Sequence, residues 1–504
     1  MQLLTSLGNR LFIAAQSSSS SSLSPSSSSV ILVIHINTNT IHELNININN
    51  TATTTSTTTS TTTTTTTTNS TNSTIIGNNE HHTKQLKQQH HNEINYIYCS
   101  NDGRYVFASL VNKHLYCWEY TDDKYVLVSS TILKKRPTSI VHTVIDGYGL
   151  DSKKDILFVS DKAGDVWSID VPLLKKQVLV SGHCASVITD MAVHQLSNVN
   201  VLPTSHSNEN ITSLIATADR DEKIRITCFP NMVTIMSYCL GHTNVVTSIA
   251  FFTINQKLFL ISGAWDHSYI IWDPITGQAL DKVSMIGEAQ IKSIEQEQQS
   301  NSAIETEEKV EDNDDEDDDD KQYNEEVAGN YPLKIRVTTS PSPLAAIIFR
   351  RLPTIKLYVI EDDGKFWQCF DLTLPLVPVD VSFLQGQEEK KSSLYNDKSK
   401  VYLGHLAVLL PQPECVQVFE IYKDNGKIQS IPSTPFSELL ETFKNDCVKQ
   451  NITFEQVTGF GDENAGMNRD ALDRPFKKEV IDISNRKHNK RSKRKLEEVE
   501  DEKK

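Results

Sequence analysis

The chain has 504 residues, a formal net charge of −15 and eight cysteines. Fourteen carboxylates between residues 305 and 326 face only Lys309 and Lys321, so most of the negative charge sits in one self-repelling block and the rest of the chain is close to neutral. That excludes a uniformly acidic folded surface, and cysteines scattered without a CxxC pair argue against a disulfide framework and for buried thiols in a reducing compartment.

In chain order, the opening MQLLTSLGNRLFIAAQ lacks a basic n-region and is broken by polar residues, so a cleaved signal peptide is not expected. The aliphatic run Val30 to Ile34 is too short to span a bilayer. An intracellular, soluble protein without a membrane partner is the expectation. Arg10 to Ala15 and Val30 to Ile36 predict a split first blade (residues 1–16 and 30–36) interrupted by a Ser-rich insertion at 17–29. A Thr/Asn-rich stretch, 37–93, reads as a disordered linker. Such insertions are tolerable because loop closure costs only about 0.6 kcal/mol per doubling of length.

From 94 to 287 and from 331 to 422, short runs of Val, Ile, Phe, Tyr and Thr alternate with Gly, Asp, Asn and Ser, and long helical periodicity is nearly absent. Hairpins are expected at Tyr105–Ser109 with Leu115–Trp118, Ile156–Ser160 with Asp165–Trp167, Leu357–Ile360 with Lys365–Phe370, and Val401–Leu410 with Val416–Ile421. Leu214–Thr227 and Phe259–Trp272 superpose without gaps, each a strand, a polar turn and a second strand. Each follows a Gly-His pair (Gly182-His183 and Gly241-His242) and an apolar strand, Val187 to Val193 or Val245 to Phe252. This order, ending in Trp272-Asp273, is the WD-repeat signature at about 40–45 residues per blade. The expected fold is therefore all-β, a seven-bladed WD-repeat β-propeller with low-complexity insertions and a short C-terminal helix.

Residues 288–330 read as an acidic disordered insertion. A helix is expected over 433–450, with Thr434 and Pro435 as N-cap and first helical residue and with Phe436, Leu439, Leu440, Phe443 and Cys447 on one face. Residues 455–504 read as a disordered tail. Its cluster Arg486, Lys487, Lys490, Arg491, Lys493, Arg494 and Lys495 carries no interleaved aromatic, which favours nuclear localisation over phosphate contact and argues against base stacking.

His242, Ser262, Asp266 and Trp272 occupy the positions of a hydrogen-bonded structural tetrad rather than of a hydrolase site. The preceding blade keeps His183, Thr217 and Asp221 but has Thr227 in the Trp position. In the stretch Asp219 to Arg225, Lys223 and Arg225 are expected on one strand face, and charge pattern alone pairs them with Asp219 or Glu222. His81, His82, His90 and His91 follow from composition, and Gly461 with Gly466 lacks the Lys-Ser/Thr of a phosphate loop. No catalytic, cofactor-binding or metal-ligating residue is expected, and no small-molecule substrate.

Ala216-Thr-Ala-Asp-Arg-Asp-Glu-Lys-Ile-Arg225, followed by Cys239-Leu-Gly-His-Thr243, resembles the WD-repeat non-catalytic subunit of tRNA (guanine-N7)-methyltransferase. The resemblance is strongest over residues 214–273. It implies a scaffold that forms a heterodimer with a separate catalytic subunit, which carries the S-adenosylmethionine site and methylates a guanine of the tRNA variable loop. It implies partner binding by Asp219, Arg220, Glu222, Lys223 and Arg225, tRNA contact through basic surface, and a nuclear location. A ubiquitin-ligase substrate receptor is a rival, but Trp272-Asp273 is followed by Pro274-Ile275 where Trp-Asp-x-Arg is the usual feature. A ribosome-assembly or chromatin scaffold is the other.

Overall fold

The computed structural model describes residues 3–7, 10–18, 27–35, 40–46, 93–145, 153–184, 186–196, 211–285, 330–384, 400–433, 437–449 and 452–454. Seven antiparallel sheets succeed one another along the chain, and the first strands of adjacent blades touch all the way round, which makes a seven-bladed β-propeller. Blade 1 spans residues 4–45, blade 2 94–132, blade 3 137–182, blade 4 188–239, blade 5 246–284, blade 6 332–373 and blade 7 380–432.

Burial explains the pattern of each strand. Second strands such as Ser213–Asp219 and Leu344–Phe349 are buried at every position, because neighbouring blades cover both faces. They accordingly read as continuous apolar runs. Outer strands such as Lys124–Ile132 alternate between buried or half-buried and exposed. Between every pair of neighbouring blades lies at least one apolar cluster, for example Val141, Phe158, Ile188, Met191 and Ile215 between blades 3 and 4.

Three expectations about the ends change. The first blade is not a split hairpin but four strands, Leu4–Leu7, Arg10–Ser18, Ser27–His35 and Thr40–Asn45. Its central ladder runs on through the serines to Ser18↔Ser27, so residues expected in the 17–29 insertion belong to the sheet, as does Thr40–Asn45 from the expected linker. A ladder needs backbone groups only, which serine and threonine supply as well as valine does. The last blade continues past residue 422 to an outer strand, Lys427–Pro432. The helix runs Ser437–Lys449, with Leu439, Phe443 and Cys447 buried against blades 1 and 7 and Leu440 packed beside them. Thr434, Pro435 and Phe436 lie outside the described residues, as do 286–329 and 455–504. After the helix, Ile452–Thr453 pairs with Gln16 and Ser17 of blade 1.

Inner strands are stitched to one another by side chains beside their β-bulges. Register shifts fall at Ile188/Asp190, Val246/Ser248 and Pro332/Lys334. A bulge re-aims the next side chain toward the neighbouring strand. Asp190 accepts the Ile249 amide at 3.1 Å, Ser248 Oγ accepts that of Ile335 at 3.2 Å, and Ser139 Oγ accepts that of Met191 at 3.2 Å.

At the seam between last and first blades the same device becomes a buried ion cluster. Asp380, fully buried at the start of blade 7, accepts the amides of Leu3 and Leu4 at 2.8 and 3.0 Å. Its two oxygens also meet Lys334 Nζ and an Arg336 guanidinium nitrogen from blade 6, each at 3.4 Å. Burial alone would raise the Asp380 pKa, yet Lys334, Arg336 and the two amides hold it below the usual carboxylate value. Burial pushes the Lys334 ammonium down to about 8 against the pull of Asp380.

Removing the carboxylate would strand a buried ammonium and two buried amides. Asp380→Ala is therefore expected to cost about 3–5 kcal/mol in denaturant unfolding. A loss below about 1 kcal/mol would show that the seam does not depend on this residue.

Candidate partner-binding edge

Blade 5 shows what a complete tetrad does. His242 Nδ1 lies 3.0 Å from Asp266 Oδ2, its Nε2 2.7 Å from Ser262 Oγ, and Trp272 Nε1 donates to Ser262 Oγ at 2.7 Å. Ser262 and Trp272 are fully buried and His242 nearly so. Ser–His–Asp contacts of this kind occur in hydrolases, but here the indole N–H occupies the serine oxygen and no solvent reaches it. The network joins the loop carrying His242, the middle strands and the turn carrying Asp266. Gly241 fits the same closure, since a Cβ there would come within 3.0 Å of the Trp272 ring.

Blade 4 builds its version from a different aspartate. His183 Nδ1 meets Asp219 Oδ2 at 2.9 Å and Nε2 meets Thr217 Oγ1 at 2.8 Å. Asp221, which aligns with Asp266 in the gapless superposition, is exposed. The correction has a local cause. Asp219 Oδ1 accepts the amides of Asp221 and Lys223, both at 2.9 Å, so this carboxylate closes the turn and orients the histidine together. Asp161 serves blade 3 likewise, accepting the amides of Ala163 and Asp165 and the Trp167 indole N–H.

With Asp219 committed to His183, the expected pairing of Lys223 or Arg225 with Asp219 or Glu222 does not form. Lys223 also lies in the turn, one residue before the strand Ile224–Phe229 that carries Arg225. It is exposed, and its ammonium makes no ion pair among the described residues. Arg225 donates to the Gly182 carbonyl at 2.9 Å, and its guanidinium carbon lies 5.9 Å from the Tyr238 ring centroid. Its Nε is buried without a hydrogen-bond partner among the described residues. Arg220 anchors the turn through its amide to the Val187 carbonyl at 3.0 Å. Glu222 holds φ +72° where the blade 3 turn has Gly164 at +86°, a left-handed backbone that favours glycine.

Beside these charges the outer strand of blade 4 exposes Tyr238 and, just beyond it, Leu240. Neither is among the residues expected to bind a partner, although Leu240 lies in the Cys239–Thr243 motif and Tyr238 pairs with Arg225 in register. An apolar residue on an expected outer strand between charged turns was the available signal. The edge thus combines a solvated ammonium, a partly buried guanidinium, an aromatic face and a leucine, of which the arginine and the tyrosine are residue types enriched at protein–protein contacts. The basic cluster from Arg486 to Lys495 lies outside the described residues. Among the described residues no group of three or more His, Cys, Asp or Glu could hold a metal ion, and no helix is long and apolar enough to cross a membrane.

Comparison with known proteins places this edge within a matched segment. Residues 172–400, which contain blades 4 to 6, match the family model described as the tRNA methyltransferase TRM82 WD40 domain. The tRNA (guanine-N(7)-)-methyltransferase non-catalytic subunit wdr4 of Xenopus laevis is 35% identical over 130 residues, covering 26% of this chain and 28% of that protein. Its counterpart in Danio rerio is 29% identical over 188 residues, 37% of this chain and 39% of the relative. That of Dictyostelium discoideum is 29% identical over 202 residues, 39% and 40%. The chain thus spans well under half the length of the curated relatives it matches.

The two aspartates of the turn should behave differently. Asp219→Ala is expected to destabilise the protein by about 2–3 kcal/mol by unpairing His183 and two amides, and Asp221→Ala by less than about 0.5 kcal/mol. Equal effects in thermal or denaturant unfolding would refute the assignment. For Asp219 and Asp266, burial would raise the pKa but the histidine bond and turn amides lower it. A lowered folded pKa gives stability that is complete above the unfolded value of about 3.9 and fades as pH falls through the folded one. Unfolding titrations should show this acid loss in the wild type and less of it in Asp219→Asn.

Proposed function

We propose that the protein is the scaffold half of a tRNA (guanine-N7)-methyltransferase heterodimer, a reading supported by the match of residues 172–400 to the TRM82 WD40 domain model and by the similarity of part of the chain to proteins named as non-catalytic subunits of that enzyme. The chemistry is done by a separate catalytic subunit that methylates N7 of a guanine in the tRNA variable loop. The observation that carries the reading to particular residues is the solvated Lys223 ammonium beside Arg225, Tyr238 and Leu240, on an edge the propeller leaves uncovered. Binding there would stabilise the partner by selecting its folded form. At one hundred times Kd that is worth about 2.7 kcal/mol.

Direct contact with tRNA is a further part of the proposal. Lys134 and Lys135 are exposed next to Arg136, whose carbonyl accepts the Lys162 amide at 3.1 Å. Lys135 pairs at 3.4 Å with Asp165, which adjoins Gly182, the residue that Arg225 contacts. A cationic strip of this kind adds phosphate affinity without reading sequence. The seven tail cations from Arg486 to Lys495 supply the nuclear address.

The purified chain alone should not methylate tRNA, and addition of a catalytic partner should yield N7-methylguanosine. Lys223→Glu with Arg225→Glu should reduce co-purification and activity at least tenfold, because two like charges would face the partner. Unchanged co-purification and activity would place the interface elsewhere. Deleting 486–495 should shift a fluorescently tagged chain from nucleus to cytoplasm, and an unaltered distribution would discard the tail as the address.

A further inference from the structure

Blade 7 and the C-terminal helix meet at two thiols. Cys415 sits in the turn between the strands Lys400–Leu409 and Val416–Asp424, and Cys447 in the last turn of Ser437–Lys449. Both are buried in the apolar cluster shared by blade 1, blade 7 and the helix, at 0% and 1% exposure. The turn that carries Cys415 packs on the helical turn that carries Cys447. The segments that carry them are fixed on either side of the contact. Gln412 Nε2 donates to the Cys447 carbonyl at 3.3 Å, Lys444 Nζ meets Glu414 at 3.4 Å, and the Leu410 amide donates to the Cys415 carbonyl at 2.7 Å. The other six cysteines belong to blades 2 to 6 or the loops between them.

We infer that Cys415 and Cys447 form a reversible disulfide that locks the C-terminal helix, and the strand after it, onto the ring. The oxidant class is a low-molecular-weight disulfide such as oxidised glutathione. Cys415 is the attacking sulfur. The Cys447 thiol donates to it and Lys444 lies nearby, which together hold Cys415 below the usual thiol pKa although burial opposes them. A transient opening of the helix admits the oxidant. The Cys415 thiolate attacks one sulfur of the small disulfide, that S–S bond breaks, and one small thiolate leaves. The Cys447 thiol gives its proton to the departing thiolate and attacks Cys415 Sγ, which expels the second small thiolate. Two protein thiols are oxidised to one disulfide, and one small disulfide is reduced to two thiols.

The consequence is a second clasp at the seam where Asp380 already works. The helix packs against blades 1 and 7, and Ile452–Thr453 follows it onto blade 1, so a cross-link at Cys447 fixes to blade 7 the element that also holds blade 1 by packing and strand pairing.

Full-length protein is equilibrated with glutathione mixtures from reducing to oxidising, unfolded in an alkylating agent, digested and analysed by mass spectrometry. The expected result is a Cys415–Cys447 cross-linked peptide, lighter by two hydrogens than the reduced pair, whose yield rises with the oxidised fraction and vanishes on adding dithiothreitol. Tm should rise by roughly 5 °C in the oxidised protein, and Cys447→Ala should remove that redox dependence. Alkylation of both cysteines at every mixture, cross-linking of either to a different cysteine, or a cross-link that leaves Tm unchanged would each overturn the inference. The peptide measurement is made on the wild type, so it stands even if the variant folds poorly.

Discussion

A ring of sheets holds together when its first and last members are joined, and here the join is a buried carboxylate. Asp380 takes the amides of Leu3 and Leu4 on one side and the cations of Lys334 and Arg336 on the other. Taken separately, these groups would be costly to bury, since an unpaired ammonium or carboxylate in a dry interior is penalised by several kcal/mol. Together they are mutually satisfied. Three blades meet at one residue, and contacts separated by 377 and 376 positions in sequence become neighbours. The helix Ser437–Lys449 and the short strand Ile452–Thr453 cover the same seam from outside.

Elsewhere the propeller repeats one local solution with variations that decide where function can sit. In blade 5 the Trp272 indole, Ser262, His242 and Asp266 satisfy one another and leave nothing for a partner. Blade 4 has no tryptophan to complete the chain, and its Asp219 is drawn inward to hold His183 and to close the turn. That inward commitment leaves Lys223 exposed with no ion pair among the described residues, while Arg225 leans on the Gly182 carbonyl and the Tyr238 ring. The exposed charge is thus a by-product of how the turn satisfies its own amides. Its neighbours Tyr238 and Leu240 add exposed aromatic and aliphatic surface beside it.

The blades from 94 onward were legible because their hairpins carry apolar runs bounded by turn residues, and because the Gly-His and Trp-Asp marks recur at blade spacing. Blade 1 was only partly legible. Its serine and threonine strands give no hydrophobic signal, and their pairing rests on backbone hydrogen bonds that any composition can make. The tetrad of blade 5 followed from residue types alone. That of blade 4 did not, because gapless alignment cannot say which of two aspartates in one turn faces inward.

The amino-acid sequence by itself determined the all-β class, the blade spacing and the two best-formed repeats, because these follow from periodicity and turn chemistry that act within a few residues. It also marked Asp219 to Arg225 as unusual. Only the tertiary structure decided that Asp380 closes the ring, that Asp219 rather than Asp221 meets His183, that Lys223 stands outside the strand, and that the turn of Cys415 packs on the helix of Cys447. Each of these turns on which groups compete for one partner once distant segments are brought together. Spacing cannot settle that competition, because the winning contact depends on burial and on hydrogen bonds that exist only in the folded chain.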